Sequence, residues 1–157
     1  MAVNYSLAVG APGALNADKR LRMDDIFEGL EIPERVAMLE SSERRDCKDG
    51  DLIIEEDARN DAIFAILDGE VKVLLGSGES AIEVARLGVG AIFGEMSFLS
   101  HTTASASIVA VGEVELICVS HEHISSMVDR DPGFAGRFYH SLACTLAERL
   151  RVANQRK

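Results

Sequence analysis

Short apolar runs rich in valine and isoleucine dominate the middle of the chain, between Glu43 and Ser120. Each run is bounded by glycine or polar residues, which is typical of β-strands. Asp68-Gly69 separates two of these runs and predicts a tight hairpin, and Gly112 marks a turn between the last two. Many short strands at this spacing favour a sandwich or closed barrel, and we favour an antiparallel jelly roll. The predicted strands span residues 52–54, 62–67, 70–75, 80–87, 104–111 and 113–119.

Helical periodicity precedes this β-rich region. Residues 24–39 carry apolar side chains at helical spacing and predict two short helices, with Pro33 as the break between them. Residues 1–22 show no strong period, so we expect an N-terminal arm there. The remainder, residues 23–157, is predicted to form a single domain.

Two further helices are predicted after the last strand. Ser120 is placed to cap the first, and Asp131 is placed to cap the second, with Pro132 at its first position. Apolar residues then recur at helical spacing as far as Leu150. This stripe packs on its own domain or pairs in part with a second copy to form a homodimer, and both alternatives stay open. The seam of such a dimer would contain Tyr139, Leu142, Leu146, Leu150 and Ala153.

Composition narrows the class of protein. The hydrophobic fraction of 47% predicts a globular chain, and no apolar run is long enough to span a bilayer. The net charge of −10 weighs against free-standing DNA binding but not against one nucleotide in a local pocket. Cys47, Cys118 and Cys144 are widely spaced and fit reduced, mostly buried side chains in a reducing cytoplasm, where we expect the protein to reside.

One stretch between Gly90 and Ile108 carries the most specific chemistry. It begins with glycines, continues into a short apolar turn that opens on the carboxylate of Glu95, and ends in small hydroxyl residues. The free backbone N–H groups of such a turn form a plausible anion cradle, while the carboxylate is suited to a neutral hydroxyl. The stretch therefore suits a ligand that carries both a phosphate and a sugar.

Phe93-Gly94-Glu95, followed by an apolar turn and a small-residue strand start, resembles the phosphate-binding cassette of cyclic nucleotide-binding domains. That family includes catabolite-activator-type regulators, regulatory subunits of cyclic-nucleotide-dependent kinases, and gated channels. The resemblance covers roughly residues 26–153 and includes the Asp131-Pro132 helix start. It implies a mainly β fold with flanking helices, the antiparallel β-roll, or double-stranded jelly roll, of this family.

The resemblance also implies a function, that of a stand-alone regulatory sensor in signal transduction. Its ligand would be a small phosphorylated molecule, a cyclic nucleotide such as cAMP or cGMP, with no separate cofactor. Glu95 would accept a hydrogen bond from the ribose 2′-hydroxyl, and amides near Ser97 and Ser105 would hold the phosphate with help from nearby hydroxyls. The ligand-binding residues implied in this way are Phe93, Gly94, Glu95, Met96, Ser97, Thr103, Ala104 and Ser105.

One position departs from the family pattern. The cassette arginine that pairs with the cyclic phosphate falls on Ala104, and the sequence has no arginine between Arg86 and Arg130. Arg59 or Arg86 would have to reach the pocket from another strand, although both fit better on solvated faces. Two functions therefore stay open: a sensor with weakened or atypical affinity, and a ligand-independent interaction or dimerisation module with a vestigial pocket.

The remaining motifs argue against an enzyme. His121 and His123 flank Glu122 at a predicted helix start, where side chains two residues apart diverge, so we predict no metal site. No nucleophile and base stand in a recognisable catalytic motif, so we predict no catalytic residues. In transcription regulators of the family a DNA-reading domain follows the long helix, and because the sequence stops at Lys157 we expect none here. The protein partner of a sensor is not encoded in any motif.

Overall fold

Six strands and four α-helices make up the part of the chain that the computed structural model describes, residues 29–40 and 42–155. Helix α1 precedes the strands, α2 is a short helix between the fifth and sixth strands, and α3 and α4 close the chain. In order, the elements are α1 (Ile32–Glu40), β1 (Glu43–Cys47), β2 (Leu52–Ile54), β3 (Ala62–Leu75), a 3-10 turn (Gly78–Ser80), β4 (Ile82–Leu87), β5 (Ile92–Phe93), α2 (Glu95–Ser100), β6 (Ser107–Ser120), α3 (His121–Arg130) and α4 (Pro132–Gln155).

The sheet is antiparallel throughout the described chain. Its strand order is β1-β6-β3-β4, with β2 paired to β6 and β5 paired to β3. The longest pairing joins β3 to β6 and extends from Ala62 opposite Ser120 to Leu74 opposite Ser107. The predicted mainly β architecture with flanking helices is therefore confirmed.

Two predicted hairpin turns are wrong, because Asp68-Gly69 and Gly112 lie inside long strands. Residues 62–67 and 70–75 form one strand, β3, and residues 107–120 likewise form the single strand β6. Gly69 and Gly112 both have positive φ, 87° and 66°, and the register shifts on either side of Asp68. A Cβ at position 69 would lie 2.4 Å from the carbonyl oxygen of Glu113. Glycine here supports an irregularity within a continuing strand rather than a chain reversal.

Strand β1 was not predicted, because its sequence ERRDC has almost no apolar residues. It pairs with β6, and its charged side chains find partners on the sheet. Arg44 forms an ion pair with Glu115, and the guanidinium of Arg45 lies 5.2 Å from the centre of the Phe64 ring. Cross-strand electrostatic contacts and backbone pairing, rather than β-propensity, therefore stabilise this strand.

The core has two parts, one on each face of β3. Alternate residues of β3 point in opposite directions, so Ile63 and Leu67 face one part while Phe64 and Ile66 face the other. The first part packs the sheet against the helices, and it includes Phe134 and other side chains of α1, α3 and α4. The second part fills the inside of the roll and supports the site described below.

The capping predictions for the last two helices are confirmed. The Ser120 hydroxyl accepts a hydrogen bond from the backbone N–H of His123 at 3.1 Å, and the Asp131 carboxylate accepts one from Gly133 at 3.0 Å. Leu142 is fully buried in the core of its own domain, so it cannot belong to a seam with a second copy as predicted. No residue of α4 beyond Leu142 is buried among the described residues.

Helix α1 begins at Ile32 and corresponds to the second of the two predicted helices, with Pro33 in its first turn, where a proline is tolerated. The upstream part of the predicted helical region, residues 24–28, and the predicted arm lie outside the described residues. Glu34 accepts a hydrogen bond from the backbone N–H of Glu31 at 3.0 Å, as in a capping box. Arg137 of α4 donates to both oxygens of Glu34, at 2.9 and 2.7 Å, and thereby fastens α1 to α4.

This ion pair makes stability depend on pH. The hydrogen bond from Arg137 holds the pKa of the Glu34 carboxyl below its ordinary value. A carboxyl with a lowered folded pKa contributes stability that is fully present above its unfolded pKa and is lost as pH falls through the folded pKa.

We predict that Glu34→Gln lowers the free energy of unfolding by about 1–2 kcal/mol at pH 7. The difference from the wild type should begin to shrink as pH falls below about 4, where the carboxyl of the unfolded chain becomes neutral, and it should vanish only below the lowered pKa of the folded state. Urea unfolding at pH 7 and pH 3 measures it, with the exposed Glu40→Gln as the matched control. An equal loss at both pH values would contradict this account.

Candidate ligand-binding site

The turn from β5 into α2 forms one wall of the site. Phe93 ends β5 and stacks on Phe64 of β3, with ring centres 5.1 Å apart and planes 7° apart. Gly94 follows with φ of 83°, and a Cβ there would lie 2.8 Å from both the Ala62 carbonyl oxygen and the Asn60 side-chain nitrogen. The close approach of backbone to backbone that the sequence indicated therefore depends on Gly94.

Asn60 holds this turn in place, although no pattern in the sequence singles it out. Its side-chain N–H₂ group contacts the carbonyl oxygens of Ala62 and Gly94 at 2.8 and 3.2 Å and the Ser97 hydroxyl at 3.1 Å. An asparagine in a polar turn gives no signal of such a role, because its contacts lie 34 and 37 residues away. The Ser97 hydroxyl also lies 3.3 Å from the Gly94 carbonyl oxygen, so it serves the turn.

The segment from Ala104 to Ala106 forms the facing wall. Ala104 is buried, its N–H donates to the Ala58 carbonyl at 2.9 Å, and its own carbonyl accepts from Asp57 at 2.8 Å. Its backbone is thus fully engaged in the fold. Ser105 is exposed, and its hydroxyl bonds to none of the other described residues, which leaves it free to meet a ligand.

These walls enclose a cavity of about 140 Å³. Every residue in the predicted ligand-binding set lines it except Thr103, which is exposed and forms an isolated backbone bridge with Arg59. The Thr102 hydroxyl, one of the hydroxyls near the cassette, lies 2.7 Å from the Ser100 hydroxyl. The full lining comprises Ile54, Val73, Leu87, Phe93, Gly94, Glu95, Met96, Ser97, Ala104, Ser105, Ala106, Ile108 and Arg149.

Glu95 is the acidic residue of this cavity, and it is only 3% exposed. Its carboxylate accepts a hydrogen bond from the guanidinium of Arg149, which belongs to helix α4 and lies 54 residues further along the chain. Burial of a carboxylate is costly unless an opposite charge and hydrogen bonds compensate for it. Arg149 supplies that compensation and is the cation that lines the cavity.

Arg59 and Arg86 do not line the cavity, and Arg86 instead pairs with Glu70 at 2.9 Å and Glu83 at 3.1 Å on the sheet. The spacing of residues along α4 does give one signal for Arg149. Arg149 follows the buried Leu142 by seven positions, about two helical turns, and therefore lies on the same face of α4.

A larger groove of about 710 Å³ lies next to this cavity and shares Arg149 with it. One side of the groove is the β4–β5 loop, including Gly90 and Ala91, and the other is α4, including His140 and Cys144. The Arg149 side chain therefore borders both the small cavity and the open groove.

The described residues hold no group of three or more histidine, cysteine, aspartate or glutamate side chains arranged to bind a metal ion. The His121 ring packs between Phe98 and His101, with ring centres 5.1 and 5.2 Å away. The His123 side chain is partly buried, and this burial lowers its pKa. Within residues 29–40 and 42–155, no helix is both long and apolar enough to cross a membrane.

The sequence of the chain is also similar to known proteins. Residues 44–131 match the family model of the cyclic nucleotide-binding domain. The chain is also 36% identical over 133 residues to the cyclic AMP receptor protein of Thermus thermophilus, an alignment that covers 82% of this chain and 58% of that protein.

The chain belongs to the cyclic nucleotide-binding domain family. It is 27% identical over 89 residues to a cAMP-dependent protein kinase type II regulatory subunit of Drosophila melanogaster, covering 57% of this chain and 24% of that protein. A solved cyclic nucleotide-binding domain from Methylobacillus flagellatus shares the fold, with a TM-score of 0.77, 22% identity, and coverage of 90% of this chain and 85% of that one. The domain thus spans little more than half of the first of these relatives and about a quarter of the second.

We predict that Gly94→Ala lowers the melting temperature more than Gly90→Ala does. Both glycines have positive φ, 83° and 87°, so both substitutions introduce backbone strain. Only the Cβ at position 94 meets neighbouring atoms, whereas the one at position 90 finds nothing within 4 Å. Thermal unfolding followed by circular dichroism measures the difference, and equal melting temperatures would show that the close packing around Gly94 is unimportant.

Proposed function

We propose that this domain is a regulatory sensor that binds a cyclic nucleotide, or a close phosphorylated relative, more weakly than a family member with a cassette arginine. The observation that carries the proposal is the buried carboxylate of Glu95 on a cavity whose facing wall is residues 104–106. Relatives named as a cyclic AMP receptor and as a regulatory subunit of a cAMP-dependent kinase support both the ligand class and a regulatory role.

Glu95 is suited to hold the ribose. One of its oxygens accepts from Arg149, and the other has no partner among the described residues. That second oxygen is available to accept a hydrogen bond from a ribose hydroxyl. A hydrogen bond to a charged and desolvated group contributes about 1.5–3 kcal/mol.

Within the cassette itself, the donors available to the phosphate are neutral. The backbone N–H groups of Glu95, Met96 and Ser97 open α2, where the first N–H groups have no partner within the helix. The exposed Ser105 lines the opposite wall and adds a hydroxyl. Ala104 contributes a methyl group where the family resemblance expects an arginine, and the loss of such a charged pair costs about 2–5 kcal/mol.

The size of the cavity also favours weak binding. Pockets for ligands of this kind usually measure about 300–1,000 Å³. The cavity of about 140 Å³ is smaller, so a nucleotide has to displace a lining group before it is enclosed. Part of the binding free energy is then used to open the site.

Isothermal titration calorimetry with cAMP, cGMP and cyclic dinucleotides tests the proposal. We expect a dissociation constant in the micromolar to millimolar range for at least one of them, and about a tenfold or greater loss for Glu95→Ala. Glu79→Ala, an exposed glutamate of the 3-10 turn, is the matched control and should leave affinity unchanged. Absence of heat at millimolar ligand, together with an unchanged melting temperature, would exclude these ligands.

Ala104→Arg should tighten cyclic-nucleotide binding, because it returns a cation to the cassette wall. We expect a gain of about 30-fold or more if the arginine pairs with the phosphate. Ala104→Met, which adds bulk without charge, separates the charge effect from the effect of filling the cavity. No gain for the arginine variant, in a protein that melts normally, would show that position 104 does not face the phosphate.

The regulatory output is proposed to pass through α4. A ligand that prefers one position of this helix shifts the population of its conformations and thereby changes the surface offered to a protein partner. The three cysteines are free, and Cys144 is exposed, which fits a reducing compartment such as the cytoplasm.

A second function, that of an interaction or dimerisation module, rests on the exposed apolar residues of α4. Leu150 is 64% exposed and Val152 is 38% exposed, and both lie beyond the last buried residue of the helix. Analytical ultracentrifugation of the wild type and Leu150→Asp tests for self-association. A wild type that stays monomeric at high concentration counts against the dimer, whereas a dimer that Leu150→Asp dissociates supports it.

A further inference from the structure

We propose that Arg149, on helix α4, supplies the cation for the ligand's phosphate and so takes over the role that Ala104 cannot fill. The inference rests on the proposed function and specifies which group recognises the charged part of the ligand. It makes α4 a part of the binding site, so that the ligand itself draws this helix onto the pocket.

Among the residues that line the cavity, Arg149 is the one lysine or arginine and Glu95 is the one carboxylate. Without a ligand these two charges compensate each other. A phosphate that enters the cavity meets a buried negative charge at Glu95, so its binding requires a cation close by. Arg149 is the described residue placed to provide one.

The guanidinium of Arg149 has more hydrogen-bond donors than its contact with Glu95 uses. It carries five N–H donors in a planar fork, a geometry that suits phosphate oxygens. Its recorded partner among the described residues is the Glu95 carboxylate, through one terminal nitrogen. Several donors therefore remain available. The Arg149 side chain is 33% exposed, so it can turn towards a ligand without first being released from a packed core.

Arg149 lines both the cavity of about 140 Å³ and the groove of about 710 Å³, so its side chain borders both spaces. A modest rearrangement of this one side chain joins the spaces and makes room for a nucleotide that the small cavity alone cannot hold. The α4 segment that bears it, residues 143–155, has no buried residue, so little packing resists the movement.

The inference makes a specific claim about ligand charge. Removal of Arg149 should weaken binding of a cyclic nucleotide more than binding of the uncharged nucleoside. Glu95 loses its compensating charge in both cases, so that loss acts on the ribose of both ligands alike. The ratio of the two affinities therefore reports on the phosphate contact and not on a general disturbance of the pocket.

Calorimetric titrations of the full chain with cAMP and with adenosine test this claim. Arg149→Ala should weaken cAMP binding about 10- to 100-fold, and adenosine binding by less than about threefold. Arg149→Lys keeps the charge but not the fork, so it should recover part of the loss. The matched control is Arg151→Ala, two positions along the same helix, because Arg151 is 65% exposed and pairs with Glu148 away from the cavity.

A second test moves the cation from Arg149 on α4 to position 104, on the facing wall of the cavity. The double variant Ala104→Arg with Arg149→Ala should bind cAMP at least ten times more tightly than Arg149→Ala alone. The inference requires this gain to exceed the gain that Ala104→Arg gives in the wild type, because only then does the new arginine replace what Arg149 supplied.

The outcomes separate the inference from the proposed function. If the wild type binds cAMP and Arg149→Ala binds it equally well, the inference is wrong and the proposed function stands. If Arg149→Ala weakens cAMP and adenosine equally, Arg149 acts by holding the pocket in shape, and the inference is again wrong. If the wild type binds neither cAMP nor cGMP at millimolar concentration, both proposals fail for these ligands.

Discussion

The contact between Glu95 and Arg149 connects the two parts of the molecule that matter most for function. Glu95 is a nearly fully buried carboxylate on the cassette turn, and Arg149 is borne by a helix that is otherwise unburied at that point. Charge compensation makes each group dependent on the other, because an unpaired carboxylate at this site would be costly. One hydrogen-bonded ion pair thereby joins the pocket to the end of α4.

The sheet holds the cassette side of this contact in a fixed place. Strands β3 and β6 run alongside each other over most of their length, and β3 is buried on both faces. β5 attaches to β3 and delivers Gly94 against the Ala62 carbonyl, where Asn60 fastens the turn. Helix α4 is different, because its packed portion ends at Leu142 and the segment bearing Arg149 extends beyond it. The wall that carries Glu95 is thus tied to the sheet, whereas the α4 segment that bears Arg149 has no buried residue to restrain it.

Features of the fold and the site could be predicted from the sequence where they depend on residues close together in the chain. Caps at Ser120 and Asp131 and the glycine-led turn at Gly94 are local features, and all of them are present in the structure. Gly69 and Gly112 misled the strand assignment, because a glycine with positive φ serves a hairpin and an irregular strand equally well. Strand β1 is charged and exists through its partners on the sheet, and Arg149 meets Glu95 across 54 residues. No periodicity within a short window reports contacts of that range.

The most direct test of this account is a double-mutant cycle between Glu95 and Arg149, measured as free energies of unfolding in urea without ligand. The variants are Glu95→Gln, Arg149→Ala and their combination. The account predicts a coupling free energy of at least about 1 kcal/mol, with the double variant less destabilised than the sum of the single variants. Additive effects, with a coupling within error of zero, would show that the pair does not join α4 to the pocket.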